Sequence, residues 1–122
     1  MSKLLSIIEL GGYPDYTALY EKTGCDVKVV NSVRKAISFL KKNPVDIIVA
    51  EFNYQTDFRD RTSSLESLMA VIQTYPDSKV IIFLDKVHQE KFARITSRFD
   101  IFTSLTFPID EKKLTEVLQS AQ

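Results

Sequence analysis

Glu51 closes the apolar run Ile47-Ile48-Val49-Ala50. A carboxylate at the end of a buried strand is the residue type that proton transfer, phosphoryl acceptance or cation binding requires. Two further acidic residues, Glu9 and Asp85, end other β-rich runs. If the three runs are neighbours, their carboxylates meet at one sheet edge. Asp85 is better explained as the N-cap of a following helix, which weakens the cation reading. His88 is the sole histidine; no nucleophile or acidic partner is placed by spacing, so it reads as a surface helical residue. Gly11-Gly12 hints at a phosphate turn but lacks a following Gly-Lys-Ser/Thr, which leaves a plain loop as the simpler reading. Cys25 is the single cysteine; it has no disulfide partner and is expected to be a small buried hydrophobe.

The rest of the composition narrows the classes. With 122 residues, 44% hydrophobic and 26% charged, the chain is expected to form one domain spanning residues 1–122 with a sizeable core. Sixteen basic and sixteen acidic residues balance to zero, so no global field favours nucleic acid or an anionic membrane. No run approaches the roughly 18 apolar residues of a membrane span, and no signal-type cleavage site follows Met1 to Leu10. The expectation is a cytoplasmic protein with no nucleic-acid or membrane partner.

These acidic residues are positioned by five β-rich runs, Leu4–Leu10, Asp26–Val30, Asp46–Phe52, Lys79–Leu84 and Thr103–Phe107. Ile47 to Ala50 and Val80 to Leu84 are apolar at successive positions, so both faces of those strands must be covered, as in a parallel sheet between helices. Helical stripes alternate with the runs. Val33, Ala36, Ile37 and Leu40 follow i, i+3, i+4, i+7, as do Leu65, Leu68, Met69 and Ile72. Shorter stripes are Tyr16, Leu19 and Tyr20; Phe92, Ile95 and Phe99; and Leu114, Val117 and Leu118. End signals agree: Ser63 with Glu66 as a capping box, Ser32, Asp85 and Asp110 as N-caps, Gly24 as a stop. The expected fold class is α/β, a single (βα)5 doubly wound parallel sheet with flavodoxin-like strand order 2-1-3-4-5. In such sheets the functional crevice lies beyond the carboxyl ends of the strands.

This architecture resembles the receiver domain of bacterial two-component response regulators over essentially the whole chain. The motifs that carry the likeness are Pro-x-Asp-apolar-apolar-apolar-x-acidic at Pro44 to Glu51 and Pro-Ile-Asp-x-x-x-Leu at Pro108 to Leu114. The resemblance implies an acidic pair at Glu9 and Leu10, a phosphoacceptor at Glu51, a hydroxyl residue at Leu84, a Lys at Phe107 and an aromatic switch residue at Ser104. Each of these positions departs from the family's chemistry; only Glu9 and Glu51 keep the charge. Replacing the Lys by Phe107 removes a cation whose loss costs about 3 kcal/mol or more of transition-state stabilisation. Leu10 removes a magnesium ligand and Glu51 lengthens another by a methylene, so Mg²⁺ binding at Glu9 and Glu51 is expected to be weak and no cofactor is assigned. The family also implies a cis bond at Phe107-Pro108.

The resulting expectation is a pseudo-receiver, a non-enzymatic module acting in signalling through protein–protein interaction or self-association. Three readings of Glu51 stand beside each other: a solvated strand-end acid, an imitation of the phosphorylated acceptor, or part of a cation site. The loop after Glu51 is longer than the receiver pattern and holds Tyr54, Phe58, Arg59 and Arg61, residue types enriched at protein interfaces. Lys91, Arg94 and Arg98 give the fourth helix a basic face, with a solvated helix face as the plain explanation. Two rivals remain: an atypical receiver that still accepts phosphate or binds a divalent cation at Glu51, and a small flavodoxin-like binder of a nucleotide or flavin at Gly11-Gly12.

Overall fold

The computed structural model describes residues 2–8, 16–52, 68–75, 77–85, 89–97, 99, 101–107 and 109–121, with the backbone alone for residues 52, 91 and 94–96. Its strands are β1 (Ser2–Ile7), β2 (Cys25–Val30), β3 (Ile47–Phe52), β4 (Lys79–Leu84) and β5 (Thr103–Thr106). They form one parallel sheet in the order β2-β1-β3-β4-β5, the order expected from the sequence. The helices are α1 (Thr17–Lys22), α2 (Val33–Lys42), α3 (residues 68–72), α4 (Gln89–Thr96) and α5 (Glu111–Ala121).

The sheet divides the core in two. Leu5, Ile7, Ile48, Ala50, Val80, Ile82 and Leu84 pack under Ala36 and Leu40 of α2, Leu68, Met69 and Ile72 of α3, and Phe92 of α4. On the opposite face, Leu4, Ile47, Val49, Ile81 and Phe83 pack against Tyr20 of α1 and Leu114 and Leu118 of α5. Val80 to Leu84 are all buried, so alternate residues of one strand feed both cores. Each such side chain contributes about 1.5–3 kcal/mol on leaving water.

Helix ends follow the local signals where they are described. Ser32 Oγ accepts from the Lys35 N–H at 3.1 Å to start α2, and Asp110 Oδ1 accepts from the Lys112 N–H at 2.9 Å before α5. Gly24 takes φ +94° after α1 and donates its N–H to the Glu21 carbonyl at 3.0 Å, the left-handed turn that glycine adopts without a Cβ clash. The cap expected at Asp85 falls across residues 86–88, outside the described residues, and the described part of α4 starts at Gln89. The Ser63 and Glu66 capping box and Leu65 also lie outside them.

Five strand boundaries differ from expectation, the first being the end of β1 at Ile7 instead of Leu10. β1 starts at Ser2 and β2 at Cys25 because the parallel ladder pairs Ser2 with Cys25, a partnership that a polar start such as Ser2-Lys3 conceals. β3 starts at Ile47, and Asp46 instead staples three strands. Its N–H donates to the Lys3 carbonyl at 2.9 Å, its Oδ2 accepts from the Lys3 N–H at 2.9 Å, and its carbonyl accepts from the Lys79 N–H at 2.9 Å. β5 ends at Thr106, although the Phe107 N–H still donates to the Leu84 carbonyl at 2.9 Å.

Candidate functional site

Register decides what surrounds Glu51. In the β3–β4 ladder Glu51 lies opposite Phe83, and in the β1–β3 ladder Ile7 lies opposite Ala50, one step before it. The residue that follows the end of β1 is Ile8, whose N–H donates to the Val30 carbonyl at 2.9 Å. Side chains alternate across a strand, so Glu51 shares the face of Ile47 and Val49, the side covered by α1 and α5.

There Glu51 is buried, with only 7% of its surface exposed. It borders a cavity of about 20 Å³ together with Ser6, Ile8, Tyr16, Tyr20 and Phe83. That volume holds about one water. The Tyr16 ring stands edge-on to Phe83, with centroids 5.9 Å apart and planes at 82°. Burial raises the Tyr16 phenol above its usual range, and the Glu111 carboxylate at the start of α5 adds to the rise. Glu51 thus ends its strand inside an aromatic enclosure rather than in open solvent, which removes the solvated strand-end reading.

The other receiver-matched positions do not gather around this carboxylate. Leu84 is 1% exposed and belongs to the opposite core, with Ile82 and Phe92, so β4 offers Phe83 to Glu51 instead. Ser104 is exposed on β5, in register with Ile82. Phe107 is 44% exposed just beyond β5. Glu9, Leu10, Tyr54, Phe58, Arg59, Arg61 and Arg98 lie outside the described residues, as do Gly11-Gly12, His88 and Pro108. Lys91 and Arg94 lie on α4, and their side chains are likewise outside. Among the described residues no three His, Cys, Asp or Glu side chains gather as a metal site.

Sequence reasoning placed Tyr16 and Tyr20 in the helix stripe but missed that they close over Glu51, and it passed over Ser6 and Ile8. The usable signal was strand parity. Counting faces from Glu51 assigns it to the side that α1 covers, and counting from Phe83 excludes Leu84 from that side. Cys25 is a buried thiol outside any disulfide, with its Sγ 3.6 Å from Thr23 Oγ1. No described helix is long and apolar enough to cross a membrane.

No protein-family model matches the chain, and no curated protein matches it. Solved structures do. A response regulator receiver domain from Clostridium thermocellum superposes with a TM-score of 0.77 at 17% identity, covering 99% of this chain and 94% of that one. The chemotaxis protein CheY4 of Vibrio cholerae gives a TM-score of 0.70 at 15% identity, covering 100% and 99%. A streptococcal protein described as one of a family of redox sensors evolved from two-component response regulators gives 0.77 at 16% identity, covering 99% of this chain and 51% of that one. Identities this low speak for architecture alone: the chain has the fold of response regulator receiver domains.

Proposed function

We propose that this chain is a receiver-like signalling module that works by docking to protein, a second copy of itself included, without passing through a phosphorylation cycle. The observation that carries the reading is the enclosure of Glu51. The cavity of about 20 Å³ that this carboxylate borders is small beside a phosphoryl group or an octahedral Mg²⁺ with its waters, which supports the reading. The described residues fit that ion poorly on chemistry as well, since Glu51 is the one carboxylate among those lining the cavity. Leu84 on the opposite core and the exposed Phe107 supply neither the hydroxyl nor the cation that would steady a transferring phosphoryl group.

Support for docking comes from the far edge of the sheet. Phe102 and Phe107, 42% and 44% exposed, flank β5, which among the described strands pairs with β4 alone. Ser104 and Thr106 between them are also exposed. Open strand edges beside exposed rings are surfaces that proteins cover with partners. The likeness to redox sensors evolved from response regulators is a precedent for this fold serving signalling by another input.

The test is intact mass after incubation with acetyl phosphate and Mg²⁺. An unchanged mass is expected. A phosphoryl adduct located at Glu51 would instead favour an atypical but active receiver.

A further inference from the structure

We infer that Tyr16 is the residue that shuts the acceptor position, its ring occupying the α1 side of the space next to Glu51 that an incoming group would need. The inference deepens the reading above and rests on it, because it names the side chain responsible for the closed state.

Tyr16 is held from two directions. Its backbone forms the N-cap of α1, and its carbonyl accepts the first helical bond from the Tyr20 N–H at 3.0 Å. No side-chain capping bond is made at that position, and the ring packs against Phe83 instead. Its ring stands edge-on to Phe83, the residue directly opposite Glu51 in the ladder. Tyr16 is only 9% exposed, and it borders the same water-sized cavity as Glu51. The helix start fixes the Tyr16 backbone, and swinging the ring aside would forfeit its edge-on contact with Phe83 and its burial. The phenol is neutral at ordinary pH, and burial with Glu111 pushes its pKa further up, so it adds no charge to the cavity it lines with Glu51. Closure is therefore assigned to the ring and not to the hydroxyl.

Carboxyl footprinting of the full chain tests this. Carbodiimide with glycine ethyl ester is read by peptide mass spectrometry, and the exposed Glu116 on α5 serves as internal reference. Glu51 of the unaltered chain is expected to label about tenfold or more slowly than Glu116, because modification must await local opening. Tyr16→Phe should keep that protection. Tyr16→Ala should raise Glu51 labelling about tenfold towards the Glu116 rate, with circular dichroism showing that the fold persists. If the alanine variant unfolds, Tyr16→Leu, which fills less of the space but keeps an apolar contact with Phe83, should give a smaller rise in the same direction. Glu51 labelling as fast as Glu116 in the unaltered chain would overturn the inference. So would unchanged protection in the folded alanine or leucine variant. The two results are distinguishable: fast labelling of the unaltered chain would also remove the enclosure on which the functional reading rests, whereas unchanged protection in the variants bears on Tyr16 alone and leaves that reading to the acetyl phosphate test.

Discussion

Leu84→Thr restores the hydroxyl that the receiver resemblance places at the end of the fourth strand, and the structure predicts that it costs stability and returns no chemistry. Leu84 is 1% exposed in the core shared by α2, α3 and α4. Exchanging its isobutyl group for a smaller side chain forfeits part of the roughly 1.5–3 kcal/mol of transfer free energy and opens a void. Burying a hydroxyl among Ile82, Val80 and Phe92 adds about 1–3 kcal/mol when no partner is at hand. The sum is about 3–5 kcal/mol, a large share of the roughly 5–15 kcal/mol that holds a domain folded. With a urea slope near 2 kcal/mol per molar, the midpoint should fall by about 2 M. The new hydroxyl should also leave acetyl phosphate unreactive, because position 84 feeds the core opposite Glu51. Denaturant titration paired with intact mass reads both effects. A loss below about 1 kcal/mol, or a phosphoryl adduct on the variant, would refute the assignment of the two residues to opposite faces.

Three further outcomes follow from local geometry. Gly24→Ala should cost about 1–2 kcal/mol in chemical denaturation, since φ is +94° and no atom lies within 4 Å of the added Cβ, so the penalty is purely conformational. Ser32→Ala should cost about 1 kcal/mol by the same assay through loss of the cap on the Lys35 N–H, and Ser32→Asp should recover most of it. Burial, with Glu111 second, raises the Tyr16 pKa above its unfolded value. The neutral phenol therefore contributes stability that is fully present below about pH 10 and lost as pH climbs through the folded-state pKa. Tyr16→Phe should show a shallower alkaline fall in melting temperature than the unaltered chain, and parallel curves would contradict the burial of that hydroxyl.

The sheet was legible because its signals are local and mutually consistent. Val80 to Leu84 cannot be apolar at every position unless both faces are covered, and helical stripes between such runs leave a parallel, doubly wound sheet as the natural closure. The caps at Ser32 and Asp110 were legible for the same reason, since each bonds within three residues of itself. Asp46 was read as the first residue of a strand because its true partners, Lys3 and Lys79, are distant in sequence. The site was legible at Glu51 and obscure around it. Matching motif positions one by one brought Leu84, Ser104 and Phe107 to the acceptor, whereas register and strand parity bring Ile8, Phe83 and Tyr16. Sequence spacing carries no statement about which face of a strand a side chain occupies until one residue of each strand is anchored. Once Glu51 is placed opposite Phe83, the rest follows.

The central proposal is that Glu51, buried beside a water-sized cavity, takes neither magnesium nor a phosphoryl group. Its most direct test is a set of backbone amide NMR spectra of the chain alone, with Mg²⁺, and with Mg²⁺ plus beryllofluoride. Unchanged resonances for Ile8, Val49, Glu51 and Phe83 in all three are the predicted result. Saturable shifts clustered at these residues on adding Mg²⁺ or beryllofluoride would contradict it.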